Sequence, residues 1–265
     1  MKKTISILSI LICILLGAKI NLQAQTTESP LAEVEFMKVV PGMNDEYLAG
    51  EAVWKKVHMN RIANKNILSW QLYRRMYPSG ANVTHEYITV TVYANAKSLE
   101  DKNNSFNWDI ITKGMNAMEI NTATTIERAR SIVGGGLYVH RLGAGTQGGK
   151  YLQIRQVSIN GDNLTEYLKM LTELQPTLEL AIKNGKTLSR NLWEDMVSSG
   201  PMFTVGYDYA NLTDALKNSS GLPTISEEYE KLNPGKKWDA FSTKIGSLYT
   251  ITNHELWERV MYTGR

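Results

Sequence analysis

The chain alternates short β-like runs with longer stretches of helical period, and the order repeats. Residues 33–40 read as a strand closed by Pro41-Gly42. From 44 to about 64, Leu48, Ala52, Val53, Trp54 and Val57 recur at helical spacing, with Asn44 placed to cap the first turn. Residues 68–77 and 86–93 read as a hairpin around Pro78-Ser79-Gly80. The second of these runs puts Ile88, Val90 and Val92 on one face and Tyr87, Thr89, Thr91 and Tyr93 on the other. A helix over 108–118 and a strand over 137–142, entered through Gly134-Gly135-Gly136, complete the series. The order then recurs. A strand at 151–158 precedes a helix from Asn163 that buries Leu164, Tyr167, Leu168, Leu171, Leu174 and Leu178. A hairpin of 188–197 and 203–209, a helix after Trp238 and a strand over 255–260 follow. Pro176 lies inside the long helical pattern and predicts a kink or break there.

The recurrence extends to residue identity. Glu46-Tyr47-Leu48 matches Glu166-Tyr167-Leu168, and Leu68-Ser69 matches Leu188-Ser189, which places Trp70 over Arg190 and Arg74 over Glu194. Tyr93-Ala94-Asn95 matches Tyr209-Ala210-Asn211, Trp108-Asp109 matches Trp238-Asp239, and residues 137–142 lie over 255–260. The shared order predicts an α+β fold of tandem ferredoxin-like (β-α-β-β-α-β) units, over 25–145 and 146–265. Four glycines within 143–149 read as a flexible linker between them. The competing reading is one mixed domain with chance similarity. Helices cover one face of such an antiparallel sheet and leave the other bare, so two fused copies can pack sheet against sheet.

Residues 1–24 read as a signal peptide, with Lys2 and Lys3 ahead of an apolar run over 5–16 and Ala24 at the cleavage point. That run is too short to span a bilayer. The rival is an uncleaved anchor. With cleavage the expected location is periplasmic or secreted. Cys13, the single cysteine, lies in this segment, so the remainder has no disulfide and no thiol nucleophile. Of 29 Lys and Arg against 26 Asp and Glu, Lys2, Lys3 and Lys19 fall there too, which leaves a neutral mature chain. With no Lys/Arg-rich run, nucleic acid is not an expected partner, and no later segment is apolar enough to cross a membrane.

The run Val53-Trp54-Lys55-Lys56-Val57-His58, the strand Leu68-Ser69-Trp70-Gln71-Leu72-Tyr73 and the strand over 87–93 resemble the dimeric α/β-barrel superfamily, which includes antibiotic-biosynthesis monooxygenase-like and NIPSNAP-like proteins. The resemblance implies antiparallel sheets packed as an intramolecular dimeric α/β barrel, a monomer mimicking a dimer. It also implies a role among cofactor-free monooxygenases, haem-handling proteins and small-molecule binders. Members that oxidise aromatic substrates use Trp/Asn/Arg or Trp/Asn/His constellations, for which Trp70, Asn64 and His58 are loose counterparts.

The four histidines, His58, His85, His140 and His254, lack metal-ligand spacing, so no metal and no cofactor is expected. His58 follows Trp54 by four residues and shares its helix face. Trp70, Leu72, Arg74 and Met76 share one strand face; Ser69, Gln71, Tyr73 and Arg75 share the other. The candidate ligand site therefore lies between helix and sheet of the first unit, with His58 and Arg74 as anchors and Trp54, Trp70 and Tyr87 as walls. The blander readings make His58 a satisfied buried histidine and pair Arg74 with Glu194 across the two sheets. The expected function is binding of a small, partly apolar or aromatic molecule. The alternatives are a cofactor-independent oxygenase or haem-handling enzyme, and an interaction module with 227–237 as a mobile surface loop.

Overall fold

The computed structural model describes residues 29–80, 83–102, 107–146, 148–217 and 225–264; the signal-like segment 1–24 lies outside them. In the first unit β1 (Leu31–Val39), α1 (Asn44–Ala63), β2 (Ser69–Tyr77) and β3 (Tyr87–Tyr93) come first. Three short helices follow, α2 (Ala96–Glu100), α3 (Trp108–Ile111) and α4 (Ala117–Thr125), and then β4 (Arg130–Gly145). The second unit has β5 (Tyr151–Ile159), α5 (Leu164–Lys183), β6 (Ser189–Asp195) and β7 (Met202–Tyr209). Helices α6 (Leu212–Lys217), α7 (Ser226–Leu232) and α8 (Trp238–Gly246) lead to β8 (Tyr249–Gly264). The eight strands close into one barrel in the order β1-β3-β2-β8-β5-β7-β6-β4. The protein is thus a pair of ferredoxin-like units fused as an intramolecular α/β barrel. Among the described residues no helix is long and apolar enough to cross a membrane.

Closure depends on the long strands β4 and β8, each of which bridges the units. β4 pairs with β1 and with β6, and β8 pairs with β5 and with β2. Ser69 opposes Gly264 as Ser189 opposes Gly145, and Leu31 opposes Val139 as Tyr151 opposes Glu258. These registers superpose Tyr138 on Trp257. The sequence match of 137–142 with 255–260 is therefore one residue out of step. In a strand such a slip exchanges the two faces, and the corrected register turns Tyr138 and Trp257 alike into the barrel.

Other departures have local causes. The helix expected over 108–118 is two helices, because Gly114 takes a positive φ of 82° and Asn116 opens a capping box with Glu119. The strand expected over 137–142 extends from 130 to 145, so that the three consecutive glycines pair with β1. Gly143 and Gly145 are paired with Asn191 and Ser189, not loose linker. Helix α5 continues through Pro176, held on both sides of it by buried Leu171, Leu174, Leu178 and Ala181. The segment 227–237 is not a free loop: α7 buries Tyr229 in the core, and Lys186 Nζ donates to Glu228 at 2.8 Å.

Gly145 has φ +83°, and a Cβ there would lie 2.1 Å from the Leu188 carbonyl oxygen. Gly42 has a similar φ of +85° but open space around it. Gly145→Ala is expected to cost upwards of about 2 kcal/mol in urea unfolding, against about 1 kcal/mol for Gly42→Ala, which bears backbone strain alone. Equal losses would mean that the approach of β4 to β6 at Leu188 contributes nothing.

The two large apolar cores lie outside the barrel, between its wall and the helices. One gathers Tyr47, Ile62, Trp70 and Leu72 under α1, the other Tyr167, Leu171, Leu174 and Leu178 under α5. Among the described residues the buried apolar cluster inside the barrel is Tyr73, Ile88 and Trp257. The interior is left partly unfilled.

Candidate functional site

That unfilled interior is a cavity of about 220 Å³. An apolar cavity of about 150 Å³ holds a benzene, so this one has room for a substituted ring or a small bicyclic aromatic. Val34, Phe36, Ile88 and Val90 form an apolar wall from the first unit. Tyr73, Tyr138, Trp193 and Trp257 add aromatic faces, related in pairs by the repeat. The second unit is more polar. Where the first unit has Val92 opposite Ser69, the second has Asp208 opposite Ser189.

Because all neighbouring strands are antiparallel, β1, β2, β5 and β6 rise together while the other four descend. Gln71, Asn191 and Asp208 therefore share one end of the cavity, and Arg75, His85, Asn253 and Glu255 lie toward the other.

At the first end Asp208 is buried, accepts from Ser189 Oγ at 2.6 Å, and has the Gly149 backbone N–H as a second donor. Burial pushes its carboxyl up to about 6; the Ser189 bond and the Arg259 guanidinium pull back only part of the way. Asn191 Nδ2 donates to Ser189 Oγ at 3.2 Å. His140 Nε2 donates to Asn191 Oδ1 at 3.3 Å and meets Trp193 edge-on at 4.9 Å. Burial lowers the His140 pKa, with the Asn191 bond opposing. Across the cavity Tyr73 Oη donates to Gln71 Oε1 at 2.5 Å, and burial together with the Asp208 charge drives the Tyr73 hydroxyl far up.

At the other end Arg75 pairs with Glu255 at 2.9 Å, both side chains nearly out of solvent. Glu255 also accepts from Trp257 Nε1 and Asn253 Nδ2, each at 3.0 Å. The Arg75 guanidinium lies 4.8 Å over Trp257 and donates to His85 Nε2 at 2.5 Å. His85 stacks on Phe36 at 4.6 Å, and burial, then Arg75, lower its pKa. This carboxylate is a fixed anchor, whereas Asp208 combines a cavity position with a proton affinity near neutrality.

The residues expected to form the site gather only in part, and away from the cavity. His58 stacks on Trp70 at 4.8 Å and stands 5.8 Å from Trp54, under α1, where the sequence placed them. Arg61 Nη1 donates to His58 Nδ1 at 3.2 Å, and burial, then the Arg61 charge, hold His58 neutral. Trp54 Nε1 donates to the Ala123 carbonyl at 3.1 Å. Tyr87 Oη donates to Asn44 Oδ1 at 2.7 Å; Met43, not Asn44, occupies the cap of α1. Asn64 sits at the end of α1 and donates to the Asn60 carbonyl. Arg74 is exposed and pairs with Glu258 at 2.5 Å, while Glu194 pairs with Arg141 at 2.5 Å, so the expected Arg74–Glu194 pair does not form. None of these side chains lines the barrel cavity. The usable signal was the other strand face, where Gln71, Tyr73 and Arg75 put polar groups on a surface destined for the interior.

No protein-family model matches the chain, and no curated protein matches it in sequence. Solved structures do. A candidate monooxygenase from Fusobacterium nucleatum subsp. nucleatum superposes with a TM-score of 0.58 at 11% identity, over 89% of this chain and 95% of that one. The likeness is one of fold: a closed antiparallel barrel of two fused β-α-β-β-α-β units. Two further barrels agree. A candidate monooxygenase from Lactobacillus acidophilus has a TM-score of 0.53 at 9% identity, over 89% and 97% of the two chains. An anthrone oxidase-like protein has 0.52 at 8%, over 89% and 93%.

Haem handling was one of the expected alternatives, and the residues here do not fit that group. An axial histidine needs a ring nitrogen free to face a wide slot. His58 is packed between two indoles, His85 and His140 are engaged by Arg75 and Asn191, and His254 is exposed on β8 and not set in a slot. The gap under α5, with a volume of about 30 Å³, would hold little more than a water. Among the described residues no three His, Asp or Glu side chains gather as metal ligands.

Proposed function

We propose that the barrel interior binds a small hydroxylated aromatic molecule and oxidises it with dioxygen without a cofactor. One observation carries this reading: Asp208 is a cavity carboxyl with a pKa near 6, facing an aromatic chamber sized for one or two rings. A base poised there is mostly ionised at pH 7 yet holds a proton far better than an ordinary aspartate. It takes the proton of a phenolic hydroxyl. The resulting electron-rich anion is the species that reacts with O₂, while the aromatic walls exclude water and Glu255, Asn253 and Gln71 orient polar substituents. For 1,4-dihydroxynaphthalene the balance is one O₂ consumed, one oxygen atom entering the ring to give 2-hydroxy-1,4-naphthoquinone, and the other leaving as water with the two remaining hydrogens. The ring gives up four electrons and dioxygen accepts them. The monooxygenase and anthrone oxidase-like descriptions of the similar barrels agree with this chemistry. The pattern of residues 1–24 supports a site of action outside the cytoplasm.

Oxygen uptake with 1,4-dihydroxynaphthalene, corrected for autoxidation, tests the reading. Asp208→Asn is expected to lower the enzymatic rate at least about 100-fold and to leave binding of the non-oxidisable 1-methoxynaphthalene within a factor of a few. An uncatalysed wild-type rate would refute the oxygenase. Full activity in Asp208→Asn would leave the chamber but remove this residue as its base.

A further inference from the structure

The gap under α5 has a composition that packing alone does not explain. It is bounded by α5, α8 and strands β5, β6, β7 and β8, and among the described residues no acidic side chain lines it. Its polar wall is two arginines, Arg155 and Arg190, with Tyr167, Tyr207 and Tyr249. Arg190 is 2% exposed and Arg155 5%. Nε and Nη1 of Arg190 are buried and find no acceptor among the described residues. Arg155 lies 5.8 Å over the Tyr207 ring and reaches Gln153 Oε1 at 3.5 Å. Burying a charge is costly unless it is paired and hydrogen-bonded, and Arg190 has two buried donors unused beside a second guanidinium, that of Arg155.

The fold does not require them. By strand register Trp70 occupies the Arg190 position in the first unit and Glu35 the Arg155 position, with the space closed by the Trp70–His58 stack. The second unit thus has a pair of guanidinium groups at a place where its twin has an indole and a carboxylate. About 30 Å³ admits one small group. We propose that Arg190 and Arg155 hold a small monovalent anion, of halide to formate size, between α5 and the sheet. The forked N–H groups of Arg190 supply directed donors, Arg155 supplies the second charge, and the apolar flanks of Leu171, Leu174 and Ile245 exclude larger anions.

Thermal unfolding of the full chain in chloride or formate, against gluconate at matched ionic strength, is the first test. Gluconate is too large to enter. Wild type is expected to melt about 3 °C or more higher in chloride or formate, and Arg190→Met is expected to lose that difference. Equal melting temperatures in all three salts, or a difference that Arg190→Met retains, would overturn the proposal. Crystals of wild type grown in bromide give a test independent of any variant. An anomalous peak between Arg155 and Arg190 supports the site, and water alone there at saturating bromide refutes it.

Discussion

Replacing Glu51 by Gln is expected to stabilise the protein by about 3 kcal/mol at pH 8 and by almost nothing at pH 4. Glu51 is buried under α1. Burial raises its pKa from 4.5 to about 7, against the pull of Arg130. A carboxyl raised in the folded state binds its proton more tightly there than in the unfolded chain. Stability is therefore full below about pH 4.5 and is lost as pH rises to about 7; each pKa unit is worth about 1.4 kcal/mol. Asp208, raised from 3.8 to about 6, imposes a similar loss of about 3 kcal/mol, spent between about pH 4 and 6. The comparison must be wild type against variant at each pH. Carboxylates such as Glu258, held low by Arg74, contribute in the opposite direction and mask the slope of the wild type alone. Urea unfolding across pH 4–8 should give a Glu51→Gln difference that grows with pH. Parallel curves would mean that Glu51 is as well solvated folded as unfolded.

Truncation of Trp257 to Ala is expected to cost about 4 kcal/mol. The indole is fully buried inside the barrel, stacks 5.7 Å from His85 and donates to Glu255. Its removal merges new space with the existing cavity and strips one wall from the Arg75–Glu255 pair. Trp257→Phe keeps a ring and loses the Nε1 donor, so about 1–2 kcal/mol is expected. A loss below about 1 kcal/mol for Trp257→Ala would mean that the outer helix–sheet cores alone keep the barrel closed. The alanine variant should also admit bulkier aromatics than wild type, read as a shift in relative affinity for anthracene-sized over naphthalene-sized probes.

How far the site was legible follows from the range of the forces involved. The alternation of β3 correctly grouped Ile88, Val90 and Val92 on one face, and those residues line the cavity. The stacking of His58 with Trp54 and Trp70 under α1 was likewise foreseeable from helix and strand periods. Packing then closed that space around the rings. The cavity lies on the bare face, which became an enclosed chamber once the second unit covered it. The one-residue error between β4 and β8 shows the limit well. Similarity of short strand sequences does not set register, whereas the hydrogen-bonded ladders to β1, β6, β5 and β2 do.

Local period and repeated order, properties of neighbouring residues, were enough by themselves to establish two β-α-β-β-α-β units and the faces of their strands. Barrel closure decided the rest. It joined Arg75 to Glu255, 180 positions away, set Asp208 on the wall opposite Tyr73 and buried Nε and Nη1 of Arg190 with no acceptor among the described residues. Charge pairing and desolvation act through space, so the polar groups that face the cavity were settled only when distant strands met.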